Sequence, residues 1–130
     1  MCLYINKKIK VKFTNGRIIA YKAFHKPYKA LVSPYQGKKY KPGWCKSNSI
    51  KSTKYDKIVI LGIHVHLTKE SAENAEPLSI IVPVICYEKD FIAAGSSWYD
   101  KSLGRQNKNK EAVFTKVFLC KKDFLKAMDK

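Results

Sequence analysis

The sequence predicts an α+β fold: a single β-rich domain over residues 1–130, mostly antiparallel, with an N-terminal hairpin and one or two short helices. Three observations predict it. Alternating or Ile/Val-rich runs of strand length recur along the chain, Asn15-Gly16 separates two of them, and helical signals are confined to short segments. A hydrophobic content of 45% with 12% aromatics supplies enough apolar surface for a folded core.

Lys8-Ile9-Lys10-Val11-Lys12-Phe13 alternates charge with apolar side chains at period two. That is the pattern of a half-buried strand, with Lys8, Lys10 and Lys12 outward and Ile9, Val11 and Phe13 inward. Asn15-Gly16 favours a type I′ turn, and Arg17 to Phe24 is the return strand. From His25 to Thr53 turn signals crowd together at His25-Lys26-Pro27, Ser33-Pro34-Tyr35-Gln36-Gly37 and Lys41-Pro42-Gly43. Between them Ala30-Leu31-Val32 and Lys38-Lys39-Tyr40 read as short strands, and Ser47 to Tyr55 reads as a loop. Lys57 to Leu67 is the strongest strand candidate. Thr68 caps a short helix over Lys69 to Ala75, with Glu70 and Glu73 near its N-terminal end. Leu78 to Tyr87 is a second apolar strand, in which Pro83 implies an edge position or a bulge. Glu88 to Ala94 reads as a helical turn, Ser96 to Lys110 as an exposed loop, Glu111 to Leu119 as a strand and Lys121 to Lys130 as a C-terminal helix.

The charge is distributed unevenly. The first 55 residues hold fourteen lysines and arginines and no aspartate or glutamate, out of a formal net charge of +16. Such a field attracts polyanions, nucleic acids and anionic membranes first among them, and nucleic acid is the expected partner. Aromatic residues interleave with the cations, a combination that neutralises phosphate and stacks on bases. The candidate nucleic-acid-binding residues are Lys8, Lys10, Lys12, Arg17, Lys22, Lys26, Lys29, Tyr35, Lys38, Lys39, Tyr40, Lys41 and Trp44. Thirteen of the fourteen cations are lysine, which favours phosphate attraction over the bidentate base reading that arginine provides. The plainer reading is that lysine coats an edge strand against aggregation, or reflects coding composition.

Signatures of other chemistry are thin. Cys2, Cys45, Cys86 and Cys120 are scattered with no close pair, so free thiols and no structural zinc are expected. The longest apolar stretches, Ile58 to Ile63 and Leu78 to Tyr87, fall short of the roughly 20 residues of a spanning helix. MCLYINKKIK has no apolar segment after its charges, so no secretory signal is expected. His64-Val65-His66 places two imidazoles on one side of a strand, with Cys86, Glu88 or Asp90 as distant third ligands. His66-Leu67-Thr68 matches the His-x-Thr element of 2H phosphoesterases, whose mechanism needs a second such element that is missing here. Glu88, Asp90 and Glu111, with Tyr87 and Arg105, form a phosphate-handling pocket only if their segments meet. No catalytic residue, metal ligand or cofactor is assigned.

Met1-Cys2-Leu3-Tyr4, Tyr21-Lys22, Ser33-Pro34-Tyr35 with Gly37, and Gly62-Ile63-His64 followed by Glu70 and Ala72 occur in this order. Together they resemble a group of small proteins, with no assigned biochemical function, encoded by bacteriophages and large DNA viruses and also found in bacteria. The strand from Val82 to Tyr87 and Glu111-Ala112-Val113 are similar to the C-terminal half of that group. His64-Val65-His66 departs from its single histidine followed by an aromatic. The resemblance implies a setting, an accessory or virion protein of viral type in the host cytoplasm or the particle, and no site residues.

The leading expectation is therefore a non-enzymatic basic protein that binds DNA or RNA through phosphates with little sequence specificity. Second stands a minor virion component or an inhibitor whose charge meets an acidic protein surface. Third stands a nucleotide-like ligand or enzyme site around His64, His66 and the Ser96 to Lys110 loop.

Overall fold

The computed structural model describes residues 3–25, 30–33, 39–47, 62–76, 78–96 and 110–129, and the backbone of 58–59, 99–100 and 105–106. In chain order the strands are β1 (Leu3–Ile5), β2 (Arg17–Phe24), β3 (Leu31–Val32), β4 (Lys39–Tyr40), β5 (Gly43–Lys46), β6 (Ile58–Val59) and β7 (Ile63–His66). Helix α1 (Lys69–Ala75) precedes β8 (Ile80–Tyr87), β9 (Phe91–Ser96), β10 (Tyr99–Asp100) and β11 (Arg105–Gln106). Then come β12 (Glu111–Phe114), β13 (Lys116–Leu119) and helix α2 (Lys121–Met128). Among the described residues, nine strands form one sheet in the order β5-β13-β8-β2-β7-β12-β9-β1-β6. Its pairings are all antiparallel, so the fold is α+β, mostly antiparallel sheet with two short helices.

The two halves of the sheet are buried differently. In β7, β12 and β9 both faces are covered. Ile63, Val65, Ala112, Phe114 and Ala94 join the main core, while Val113 and Ala93 join Leu3 in a smaller cluster. In β5, β13, β8 and β2 the burial alternates. Cys45, Val117, Leu119, Val82, Val84, Cys86, Ala20, Lys22 and Phe24 face the core, and the residues between them point to the other side, where all but Ala23 are exposed or half-buried. Helix α2 closes one end of the core with Phe124, Ala127 and Met128, which recur at helical spacing. Thr68 caps α1 as its position predicts, its hydroxyl accepting from the Ser71 backbone N–H at 3.1 Å.

Several expected elements are realised differently. Residues 9–13 form no strand, although Ile9, Val11 and Phe13 pack against the core and Lys8, Lys10 and Lys12 are exposed. β2 pairs with β8 along one edge and with β7 only at Tyr21 on the other, and residues 9–13 pack beside that edge without joining the ladder, so the alternation records burial without strand pairing. The N-terminal hairpin is thereby reduced to a turn. Thr14 and Arg17 exchange two hydrogen bonds around Asn15 and Gly16, whose φ angles of +54° and +74° are those of a type I′ turn. The run from Lys57 to Leu67 holds two strands because β6 lies at the sheet edge against β1 while β7 lies in its middle.

Pro83 is not on an edge strand. Strand β8 pairs with β2 along its whole length, but its pairing with β13 is confined to Ile85 opposite Phe118, and β13 ends at Leu119. Pro83 thus occupies a local edge inside the sheet. Glu88–Asp90 is a single 3₁₀ turn, and the chain is already strand from Phe91. β10 and β11 pair within the expected 96–110 loop, and Thr115 separates β12 from β13 in the expected 111–119 strand. The strand expected from Leu78 begins at Ile80. Strands β1 and β5, absent from the sequence expectation, are too short to show a period.

Candidate functional site

The sheet parts between β2 and β7. Their ladder is a single pair, Tyr21 opposite His66; beyond it β7 gives way to Thr68 and α1 while β2 runs on to Arg17. An open groove of about 800 Å³ follows this parting, bordered by the chain before the turn. Four cations line it: Lys10 and Lys12 from the 9–13 segment, Arg17 from the start of β2 and Lys110 from the residue before β12. All four are exposed. Thr14, Asn15 and Thr68 add polar groups, and the half-buried Val11, Ile18, Leu67 and Ile85 form an apolar floor. No aspartate or glutamate lines the groove among the described residues. A concave surface with cations of one sign focuses its field outward and accepts an anion without displacing an ion pair.

Lys110 is held by its backbone. Its carbonyl accepts from Leu67 N–H at 2.9 Å, and its N–H donates to Ser71 Oγ at 3.1 Å. Ser71 Oγ lies 3.0 Å from His66 Nδ1, and His66 Nε2 lies 4.0 Å from Glu111 Oε1. The hydroxyl has one proton to give. Two acceptors stand within its reach, Nδ1 and, at 3.2 Å, the Lys110 carbonyl; with Nδ1 as the acceptor, the ring carries its own proton on Nε2, on the side of Glu111 Oε1.

Burial, and secondarily the Lys22 charge, lower the His66 pKa to about 4, so the imidazole is neutral and its approach to Glu111 is not an ion pair. Serine, histidine and carboxylate occur in the order of a hydrolytic triad, but Ser71 is buried and its oxygen is committed to the Lys110 backbone. This network fixes the edge of the groove.

The predicted binding residues that the structure describes separate into three groups. Lys10, Lys12 and Arg17 meet in the groove. Lys8, Lys39 and Lys41 are exposed outside it, as is Trp44 at 47%. Lys22 and Tyr40 belong to the interior, which corrects their assignment to a binding surface. Lys22 is 6% exposed and its ammonium donates to the His64 carbonyl at 2.9 Å. It also lies 5.5 Å from the centroid of the Tyr40 ring. Tyr40 packs edge-on against Phe24 with centroids 5.0 Å apart, and burial, with Cys45 nearby, raises its phenol pKa. Lys26, Lys29, Tyr35 and Lys38 lie outside the described residues.

The other candidate chemistry is dispersed. His64 and His66 are both buried, and His64 Nδ1 lies 3.3 Å from the Gly62 carbonyl. Asp90 accepts from the Thr115 hydroxyl at 3.4 Å, Glu111 faces His66, and Glu88 is exposed. Among the described residues no three His, Cys, Asp or Glu side chains stand where they would hold a metal ion. Cys86 and Cys120 are free thiols, the Cys45 thiol donates to the Lys41 carbonyl at 3.4 Å, and burial pushes the Cys86 pKa up to about 12. No helix among the described residues is long and apolar enough to cross a membrane. Lys110 was not among the predicted residues, because a lysine in a polar run carries no signal of where the chain will place it. Comparison with family models, with curated proteins and with solved structures gave no match for this chain.

Proposed function

We propose that this chain is a non-enzymatic basic protein that holds nucleic acid through its phosphates, with little preference for base sequence, and that the groove is its contact surface. The observation that carries this reading is the convergence of Lys10, Lys12, Arg17 and Lys110 on one concave surface without a lining carboxylate. Three of the four are lysines, point charges suited to phosphate and poorly suited to bidentate reading of a base edge. The resemblance to virus-encoded small proteins supports an accessory or virion role in an infected cell.

Four phosphates neutralised on duplex DNA give a log–log slope of affinity against salt of roughly −3.6. The test is retention of DNA and RNA by the purified protein across a salt series. A slope near that value supports the reading. Absence of retention at about 50 mM salt overturns it, and a stoichiometric protein partner that survives nuclease treatment would replace it with binding to an acidic surface.

A further inference from the structure

The solvent side of β5, β13, β8 and β2 carries two adjacent rows of side chains whose chemistry differs. Trp44 stands opposite Phe118, Phe118 opposite Ile85, and Ile85 opposite Ile19, making an apolar row across four strands. Two residues along each strand, on the same side, come Lys46, Lys116, Tyr87 and Arg17. The second row is cationic but for one tyrosine.

Both rows are accessible. Ile19 is 62% and Trp44 47% exposed, while Phe118, Ile85, Tyr87 and Lys116 are half-buried. The rings are mutually braced: Trp44 lies 5.3 Å from Phe118 at 72° and 5.4 Å from Tyr87 at 44°. Lys116 Nζ sits 4.7 Å over the Trp44 ring and Lys89 Nζ 6.0 Å from the Tyr87 centroid. Arg17, Ile19 and Ile85 also line the basic groove, so the two surfaces are continuous. At the other end, by Tyr21 and Pro83, the face is bounded by Asp123 and Lys126 of α2.

We infer that this face is a stacking platform for single-stranded nucleic acid, with bases on the apolar row and phosphates along the cationic row into the groove. The inference rests on the nucleic-acid reading of the groove and names the form of nucleic acid it selects. A duplex hides the faces of its bases, whereas an unpaired strand offers them, and four-stranded sheets with exposed rings take two or three bases in this way. A second copy of this chain does not fit the same face, because Lys46, Lys116, Lys89 and Arg17 would meet their own kind. Lys116 does not block the indole. An exposed cation–π contact is worth roughly two- to five-fold in affinity, against roughly five- to 150-fold for a stacked base, so a base displaces the ammonium toward a phosphate.

The experiment compares binding of a labelled oligothymidine of about 12 nucleotides with that of a hairpin duplex of similar length, at one salt concentration. The wild type is expected to prefer the single strand. Trp44→Leu is expected to lose at least about five-fold on the single strand and to hold the duplex within about two-fold, with Trp44→Phe close to wild type. Because Trp44 lies on a strand, a measurement without substitution there accompanies it. In a Trp98→Phe background the remaining indole emission is expected to be quenched by oligothymidine. Trp44→Leu weakening both ligands alike or neither, or unchanged Trp44 emission with the single strand bound, overturns the platform. Equal wild-type binding of both forms with a steep salt slope also overturns it and leaves the groove standing. Failure to bind either form at about 50 mM salt defeats the groove reading and the platform with it.

Discussion

Lys22 shares the core-facing side of β2 with Ala20 and Phe24, and its ammonium reaches the His64 carbonyl where β2 and β7 no longer pair. That buried charge helps to keep His66 neutral, with burial the larger cause, and His66 in turn holds Ser71 beside Lys110. The pH dependence follows in sign. Between the ordinary histidine pKa of 6.5 and the native value of about 4, the unfolded chain binds a proton that the native chain refuses. Stability from neutral His66 is therefore complete above about pH 6.5 and declines as the pH falls toward 4, by about 2–3 kcal/mol. Urea unfolding at pH 7.0, 5.5 and 4.5, set against His66→Gln, isolates this contribution from the carboxylates. The variant is expected to show a shallower acid loss. An equal loss in both proteins would mean that His66 is not the group that titrates. Lys22→Met is expected to move the His66 resonances toward an ordinary titration midpoint.

At the level of elements, β1 and β9 approach so closely that position 95 admits no side chain. A Cβ placed on Gly95 would lie 1.8 Å from the Tyr4 carbonyl oxygen, so Gly95→Ala must push β1 away from β9 and disturb the β6 pairing beyond it. A loss of about 2–4 kcal/mol is expected, which a thermal melt reads as a fall of about 6–20 °C. Gly16→Ala is the control: its Cβ meets nothing within 4 Å, and only the left-handed backbone costs, about 1–2 kcal/mol. Similar losses in the two variants would remove the steric account of Gly95.

The elements legible in the sequence were those whose signal is local. Asn15-Gly16 shows its turn, Arg17–Phe24 is the strand that follows it, and Thr68 shows its cap, and all three stand where expected. The expectation failed where pairing depends on partners. Lys8–Phe13 alternates but joins no ladder, Pro83 sits inside the sheet because β13 stops short, and the 111–119 run divides at Thr115. Sequence period reports which side chains are buried; sheet order is decided by what else competes for each edge.

For the whole molecule, the charge was legible as a sum and not as a place. Composition gives +16, with fourteen uncontested cations in the first 55 residues, but a core-facing lysine and a groove lysine look alike in sequence. Lys22 turned inward because it falls in register with Ala20 and Phe24, while Lys110, from the more balanced part of the chain, came to the groove. Net charge and local convergence predict different outcomes for charge removal. If attraction is a property of the total field, any three neutralisations weaken binding alike; a Debye length of about 8 Å at physiological salt works against this, because it screens charges far from the bound phosphates. If binding is local, Lys10→Gln/Lys12→Gln/Arg17→Gln lowers the magnitude of the salt slope by about 2.7, three phosphate contacts at about 0.9 each. Lys39→Gln/Lys41→Gln/Lys121→Gln removes the same charge from exposed positions outside the groove and is expected to leave the slope nearly unchanged. Duplex affinity measured from about 50 to 200 mM salt for the two triple variants decides between them. Parallel lines of equal slope for both variants would reduce the groove to a solvated face and leave the field alone to account for binding.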